Sequence, residues 1–214
     1  MSHTKTGLLL KARKEELVMK EPSKMSRTAV LVEAALMVAL AFALSAIPGI
    51  KLPRGGTISW FSTLPIIIFS FRHGLKWGLA SATVYGILQA MQGMDSIFYV
   101  KTLAAMLLCA LLDYILAYAC LGFAGPIAGR FKNPTLGLVV GVGTTGLMRF
   151  VFSFFSGWII WGPYTDTALP MWIYSLGYNA TWCLPDVAIV LVAALLLSRV
   201  KALHILPQPA AVRS

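Results

Sequence analysis

Between residues 28 and 198 the chain is a succession of long apolar runs, broken only by short stretches of Pro, Gly and charge. Runs of this length match the roughly twenty residues that an α-helix needs to cross a bilayer. Read between the polar breaks, they give spans near 28–48, 57–71, 75–93, 98–124, 135–160 and 174–198. With 58% hydrophobic and only 12% charged residues, a soluble domain of 214 residues is excluded. The expectation is an all-α integral membrane protein with six transmembrane helices.

A formal net charge of +10 would suit a nucleic-acid binder if the charges were clustered on one face, but they follow the breaks between spans. Lys5, Lys11, Arg13, Lys14, Lys20, Lys24, Arg27, Arg72, Lys76, Arg130, Lys132, Arg199, Lys201 and Arg213 fall on one side, 14 in all. Lys51, Arg54 and Lys101 fall on the other. A bias of this size, with positive charge kept inside, predicts both termini in the cytoplasm and a multi-pass cell-membrane protein, with no nucleic-acid partner. The chain then reads as a basic cytoplasmic tail over 1–26, able to rest on anionic membrane lipid, a membrane domain over 27–200, and a cytoplasmic tail over 201–214. No A-x-A-like site follows the first apolar run, so no signal peptide is expected. Cys109, Cys120 and Cys183 are isolated, which predicts neither a disulfide framework nor a metal site.

The stretch "GVGTTG", Gly141 to Gly146, has the G-x-G-x-x-G spacing of a dinucleotide fingerprint. The fingerprint works only after a strand and at a helix N-terminus. Here it sits inside one apolar run from "TLGLVV" to "LMRFVFSFFSGWIIW", where Gly137 and Gly141 instead allow close helix approach. No nucleotide cofactor is expected, so the energy for any active work must come from another subunit.

Ionisable residues inside a span are costly unless paired or solvated, which makes each a functional candidate. There are four: Glu33, Asp113, Arg149 and Asp186. Glu33 lies near the cytoplasmic end of its span, where a structural or topological role is expected. Asp186 follows Pro185 and has Arg149 as its candidate partner. Asp113, in "LLDYIL", has no basic residue of its own helix within a turn or two. On the fifth span Arg149, Ser153 and Gly157 recur every four residues and so share one face. Beyond that face comes a segment rich in Trp and Tyr, from Trp158 to Trp182, with Asn179 inside it. An interfacial belt accounts for part of this aromatic content. A desolvated acid among aromatic faces suits a flat cation, so the implied ligand is a small cationic or amine-bearing heterocycle.

Four stretches carry a resemblance: "PRGGTISWFSTLPIIIFSFRHGLKWGL", "LLDYILAY", "RFVFSFFSGWIIWGPY" and "WIYSLGYNATWCLP". Together they resemble the thiamine-specific substrate-binding, or S, components of energy-coupling factor (ECF) vitamin transporters. The resemblance implies a six-helix thiamine-binding subunit without catalysis of its own, which docks on a transmembrane coupling subunit driven by two cytoplasmic ATPases. It implies capture from outside, closure of the first loop, docking and an ATP-driven toppling. By position it implies that Asp113 faces the ligand with Tyr114 beside it, that Gly157 offers a backbone contact, that Trp161 stacks on a ring, and that Tyr174 and Asn179 hydrogen-bond it. Ser153 stands where the family usually has a histidine packed on the ligand. Gly55 and Gly56 stand where some members place a tryptophan over the site. Ala35, Ala39 and Ala43 form the small-residue stripe with which members meet the coupling subunit; packing inside its own bundle is the other use of such a stripe.

The Ser153 departure makes a thiamine precursor, the hydroxymethylpyrimidine, or another vitamin the alternative ligand. Two other classes of function have specific requirements. A stand-alone secondary carrier would couple protons through Asp113 or Asp186, but no inverted repeat with broken helices is visible. An intramembrane enzyme would need a nucleophile with its base, a carboxylate dyad or a metal cluster, and His3, His73 and His204 are all expected in cytoplasmic loops or tails.

Overall fold

The computed structural model describes residues 26–52 and 56–200. The chain divides into two compact units, Met1–Val32 and Glu33–Ser214. Of the first, the described part is the opening of helix α1; the second carries the remaining elements. The two tails and Gly55 lie outside the described residues.

The element order is α1 (Arg27–Ala46), β1 (Ile50–Lys51), β2 (Thr57–Ile58), α2 (Leu64–Gln92), α3 (Met94–Tyr99), α4 (Leu103–Ala128), α5 (Pro134–Ile159), a 3-10 turn (Gly162–Tyr164) and α6 (Met171–Ser198). Helices α1, α4, α5 and α6 are each long and apolar enough to cross a membrane. Their exposed faces are apolar and their polar groups are inside. On α5, Leu147, Val151 and Phe155 are exposed, whereas Thr145, Arg149, Ser153 and Ser156 are buried. That inversion suits a helix solvated by lipid, where every backbone group must bond within its own helix.

Helix α2 departs from expectation. The spans near 57–71 and 75–93 are joined in one helix, interrupted at Gly74, whose φ of 74° and ψ of −163° only glycine adopts freely. Residues 57–58 pair with β1 instead of starting a span, with Ile50 opposite Ile58. This two-stranded hairpin qualifies the all-α expectation, and the helix begins only at Leu64, with Pro65 in its first turn. His73 is therefore helical and not in a loop. It stays there because Glu33 accepts from Arg72 at 2.6 Å and meets His73 Nε2 at 2.8 Å. The span expected near 98–124 also divides: α3 ends at Tyr99, and α4 starts at Leu103, capped by Thr102 Oγ1.

Helices α2 and α4 are joined along a glycine seam. Ser70 Oγ donates to the Gly122 carbonyl at 2.7 Å and accepts from the Gly125 N–H at 2.9 Å. A methyl group at Gly122 would fall 2.6 Å from Leu79 Cα. Gly141 likewise packs on Ala124 and Ala128, and Gly146 on Val187, so the G-x-G-x-x-G glycines serve helix packing. Below the hairpin the core is Ile66, Phe71, Tyr85, Leu138, Val142 and Val190.

Candidate functional site

Helix α4 is not uniform: Ala110–Leu116 is a π-helical segment between α-helical turns. Wider turns of this kind leave neighbouring side chains separated by a smaller angle than in an α-helix, and they recur at functional sites. Asp113 and Tyr114 lie in this segment, and both line a cavity of about 800 Å³. Its other walls are the α1 end with the β-hairpin, the last turn of α2 with α3, and one face each of α5 and α6. Ser153 and Gly157 contribute from α5, Trp161 from the turn after it, and Tyr174 and Asn179 from α6. The fold thus brings all seven predicted site residues to one cavity.

Asp113 accepts three hydrogen bonds, all on Oδ2: from Ser156 Oγ at 2.5 Å, Trp161 Nε1 at 3.4 Å and Cys109 Sγ at 3.5 Å. Among the described residues no basic side chain forms an ion pair with it. Trp161 is oriented from behind by Tyr99, stacked at 6.2 Å and 18°. Tyr114 donates to the Gly93 carbonyl at 3.3 Å, and Gly93 leaves room for its ring.

The opposite wall is organised differently. Arg149 Nη1 donates to Asp186 Oδ2 at 2.7 Å and Nη2 to the Tyr118 hydroxyl at 3.0 Å. Its guanidinium lies 4.6 Å from the Tyr118 ring centroid and 4.9 Å from that of Trp182. Asp186 Oδ1 takes the Ser59 N–H at 2.9 Å and the Ser59 hydroxyl at 2.8 Å. With Asp186 committed to Arg149 and Ser59, no carboxylate dyad forms with Asp113. Ser59 and the Gly56 N–H, which donates to the Tyr178 hydroxyl at 2.7 Å, fasten the hairpin over the cavity. Gly56 has no room for a side chain, since a methyl there would meet Trp182 at 2.7 Å.

Two predicted residues are more occupied than expected. The Asn179 amide donates to the Ser153 and Ser175 carbonyls at 3.2 and 2.9 Å and accepts from Trp182 Nε1 at 3.1 Å. Its bonds tie α6 to α5. Gly157 faces Ser175 and Asn179, where any side chain would push the two helices apart. Tyr174 stacks on Tyr178 at 5.9 Å and 9°. The alanines Ala35, Ala39 and Ala43 are exposed and so do not pack within the bundle. Among the described residues no three of His, Cys, Asp and Glu come together as metal ligands would.

Residues 31–205 match the thiamine transporter protein family (Thia_YuaJ). The chain belongs to the thiamine transporter family. Among its relatives is the thiamine transporter ThiT of Bacillus subtilis (strain 168), 32% identical over 178 residues, which cover 78% of this chain and 88% of the relative. The solved structure of ThiT from Listeria monocytogenes shares the fold with a TM-score of 0.66 at 23% identity, over 85% of this chain and 99% of that one. The S component of a bacterial ECF transporter follows at 0.60 and 21%, over 83% and 97%. As a thiamine transporter family member the chain is a multi-pass plasma-membrane transport protein and not an enzyme. In this member of the family, sequence reading missed the polar corner of Gln89, Gln92 and Ser96. In "GILQAMQGMDS" these polar residues look like the end of a span, and the sequence carries no signal that Gln89 turns inward.

Proposed function

We propose that this protein is the thiamine-capturing S component of an ECF-type transporter. The observation that carries the reading is Asp113, a carboxylate without a cationic partner among the described residues, set in an aromatic-walled cavity. Desolvated there, it favours a cation, and the rings of Trp161 and Tyr114 favour the same charge through their faces. Asp113 balances the thiazolium charge or bonds the aminopyrimidine, while Tyr174 and Ser153 complete the walls. Gly157 and Asn179 act by holding α5 against α6.

In this reading the segment from the hairpin to the break at Gly74 and the arm of α2 after it form two of six crossings, with α1, α4, α5 and α6 forming the others, which leaves both termini cytoplasmic. The distribution of basic residues supports this orientation, with the hairpin and the cavity mouth outside. Capture needs no nucleotide. Translocation is driven in trans, by a transmembrane coupling subunit and two cytoplasmic ATPases, and the exposed Ala35, Ala39 and Ala43 stripe offers the coupling subunit a close-packing face.

Tryptophan fluorescence of the purified protein, titrated with thiamine and separately with the hydroxymethylpyrimidine, tests the proposal. Saturable quenching by thiamine at micromolar concentration or below, without ATP, is the expected result. A response to the pyrimidine alone would reassign the ligand to the precursor, as the small Ser153 allows. No response to either would sink the reading.

A further inference from the structure

Gln89 belongs to the cavity wall, and its side-chain amide nitrogen is buried without a hydrogen-bond partner among the described residues. Gln89 is only 8% exposed. Three residues on, Gln92 has its carbonyl oxygen bonded by Ser45 Oγ at 3.0 Å, so the two glutamines of this turn differ. Gln92 is tied to Ser45; the Gln89 amide nitrogen has no partner among the described residues. Leaving a buried donor unpaired costs stability, and native proteins keep such groups chiefly where something else pairs them.

The position of Gln89 limits what that partner is. It lies one helical turn beyond Tyr85 and three residues beyond Gly86, which meets the Tyr114 backbone and the Tyr118 side chain. Gln89 therefore projects on the same face of α2 that covers the π-helical segment carrying Asp113. The aromatic walls take the faces of a flat ligand and leave its edge to polar groups. A carboxylate there accepts a proton-bearing edge, and a neutral amide N–H meets a lone pair in the ring plane.

We propose that Gln89 is a specificity-determining residue of the cavity, its amide donating to a ring nitrogen of a bound diazine such as the aminopyrimidine of thiamine. The inference rests on the thiamine-capture reading above. The amide acts as a gauge of the ligand's acceptor edge, complementary to Asp113, and a ligand without that lone pair leaves the donor unpaired.

The test combines Gln89→Met, which keeps length and removes the donor, with deaza analogues of thiamine in which one or the other pyrimidine nitrogen is C–H. Thiamine should bind Gln89→Met about tenfold to a hundredfold more weakly than the parent. One of the two analogues should lose a similar factor on the parent and almost nothing further on the variant, the signature of a direct pair. Without ligand, Gln89→Met should unfold at a higher temperature than the parent, a change opposite to that expected for a merely structural glutamine. If Gln89→Met cannot be purified folded, Gln89→Asn, which withdraws the amide by one methylene, should show the same loss of coupling. A parent that binds thiamine while the variant stays within twofold, or losses that simply multiply for both analogues, would overturn the role of Gln89. A parent that binds no thiamine would bring down the capture reading, and this inference with it, and that result is visible before any variant is made.

Discussion

Asp113 and Asp186 are both aspartates inside apolar helices, one lining the cavity and the other bonded to its wall residues Arg149 and Ser59, and their surroundings are opposite. Asp186 is 1% exposed, bonded on both oxygens, and paired with Arg149, which is itself held between two aromatic rings. Asp113 has hydrogen bonds on one oxygen and, among the described residues, no cationic partner. A charge with its counter-charge in place is architecture. A charge without one, in the same low-dielectric setting, is an unfilled requirement, which under the proposed function a cationic ligand would satisfy.

The widest separation between the two should come from removing Arg149. Arg149→Met leaves Asp186 as a buried, uncompensated anion and should destabilise the empty protein by about 3–5 kcal/mol, read as a large drop in unfolding temperature. Arg149→Met combined with Asp186→Leu should recover most of that drop. If the single variant unfolded like the parent, Asp186 would not be the structural member of the pair.

Asp113→Asn is the counterpart. It should leave the unfolding temperature of the empty protein unchanged or raised, and weaken thiamine binding by at least about thirtyfold, the loss typical of truncating one partner of a desolvated charge pair. Binding within a few-fold of the parent in an equilibrium titration would remove Asp113 from the site. The smallest effect belongs to Ser59→Ala, which deletes one of the two bonds from the hairpin to Asp186. It should cost about 1 kcal/mol of stability and speed ligand release in stopped-flow traces. Faster release with unchanged affinity for Asp113→Asn would reverse the assignment of roles.

Much of this contrast is written in the residue spacing. A four-residue period places Arg149, Ser153 and Gly157 on one face, and the fold puts all three on the cavity wall. Asp113 stands out because an acid in an apolar run demands a reason, and Asp186 has Arg149 as its only cationic candidate inside a span. What is missing from the sequence is whatever depends on chain packing at a distance. Nothing in "ALLDYIL" announces a π-helical turn, since its apolar content suits an α-helix equally well. Arg72 and His73 look like a loop because the glutamate that pairs with both side chains lies about forty residues earlier. Asn179 is named by the resemblance and does stand on the cavity wall, but sequence cannot tell that its amide also bonds Ser153 and Ser175.

The glycine seam between α2 and α4 bears on how such a chain diversifies. At Gly78 and Gly122 even one methyl group would collide with the facing helix, so the spacing of these helices is not open to gradual change. Asp113 and Gln89 ride on this fixed pair. Ser153 and Tyr174 ride on α5 and α6, where side-chain size can drift without parting the seam. Descendants of this chain would acquire new ligands by remodelling the α5 and α6 walls, while the α2 and α4 side preserves the ancestral choice.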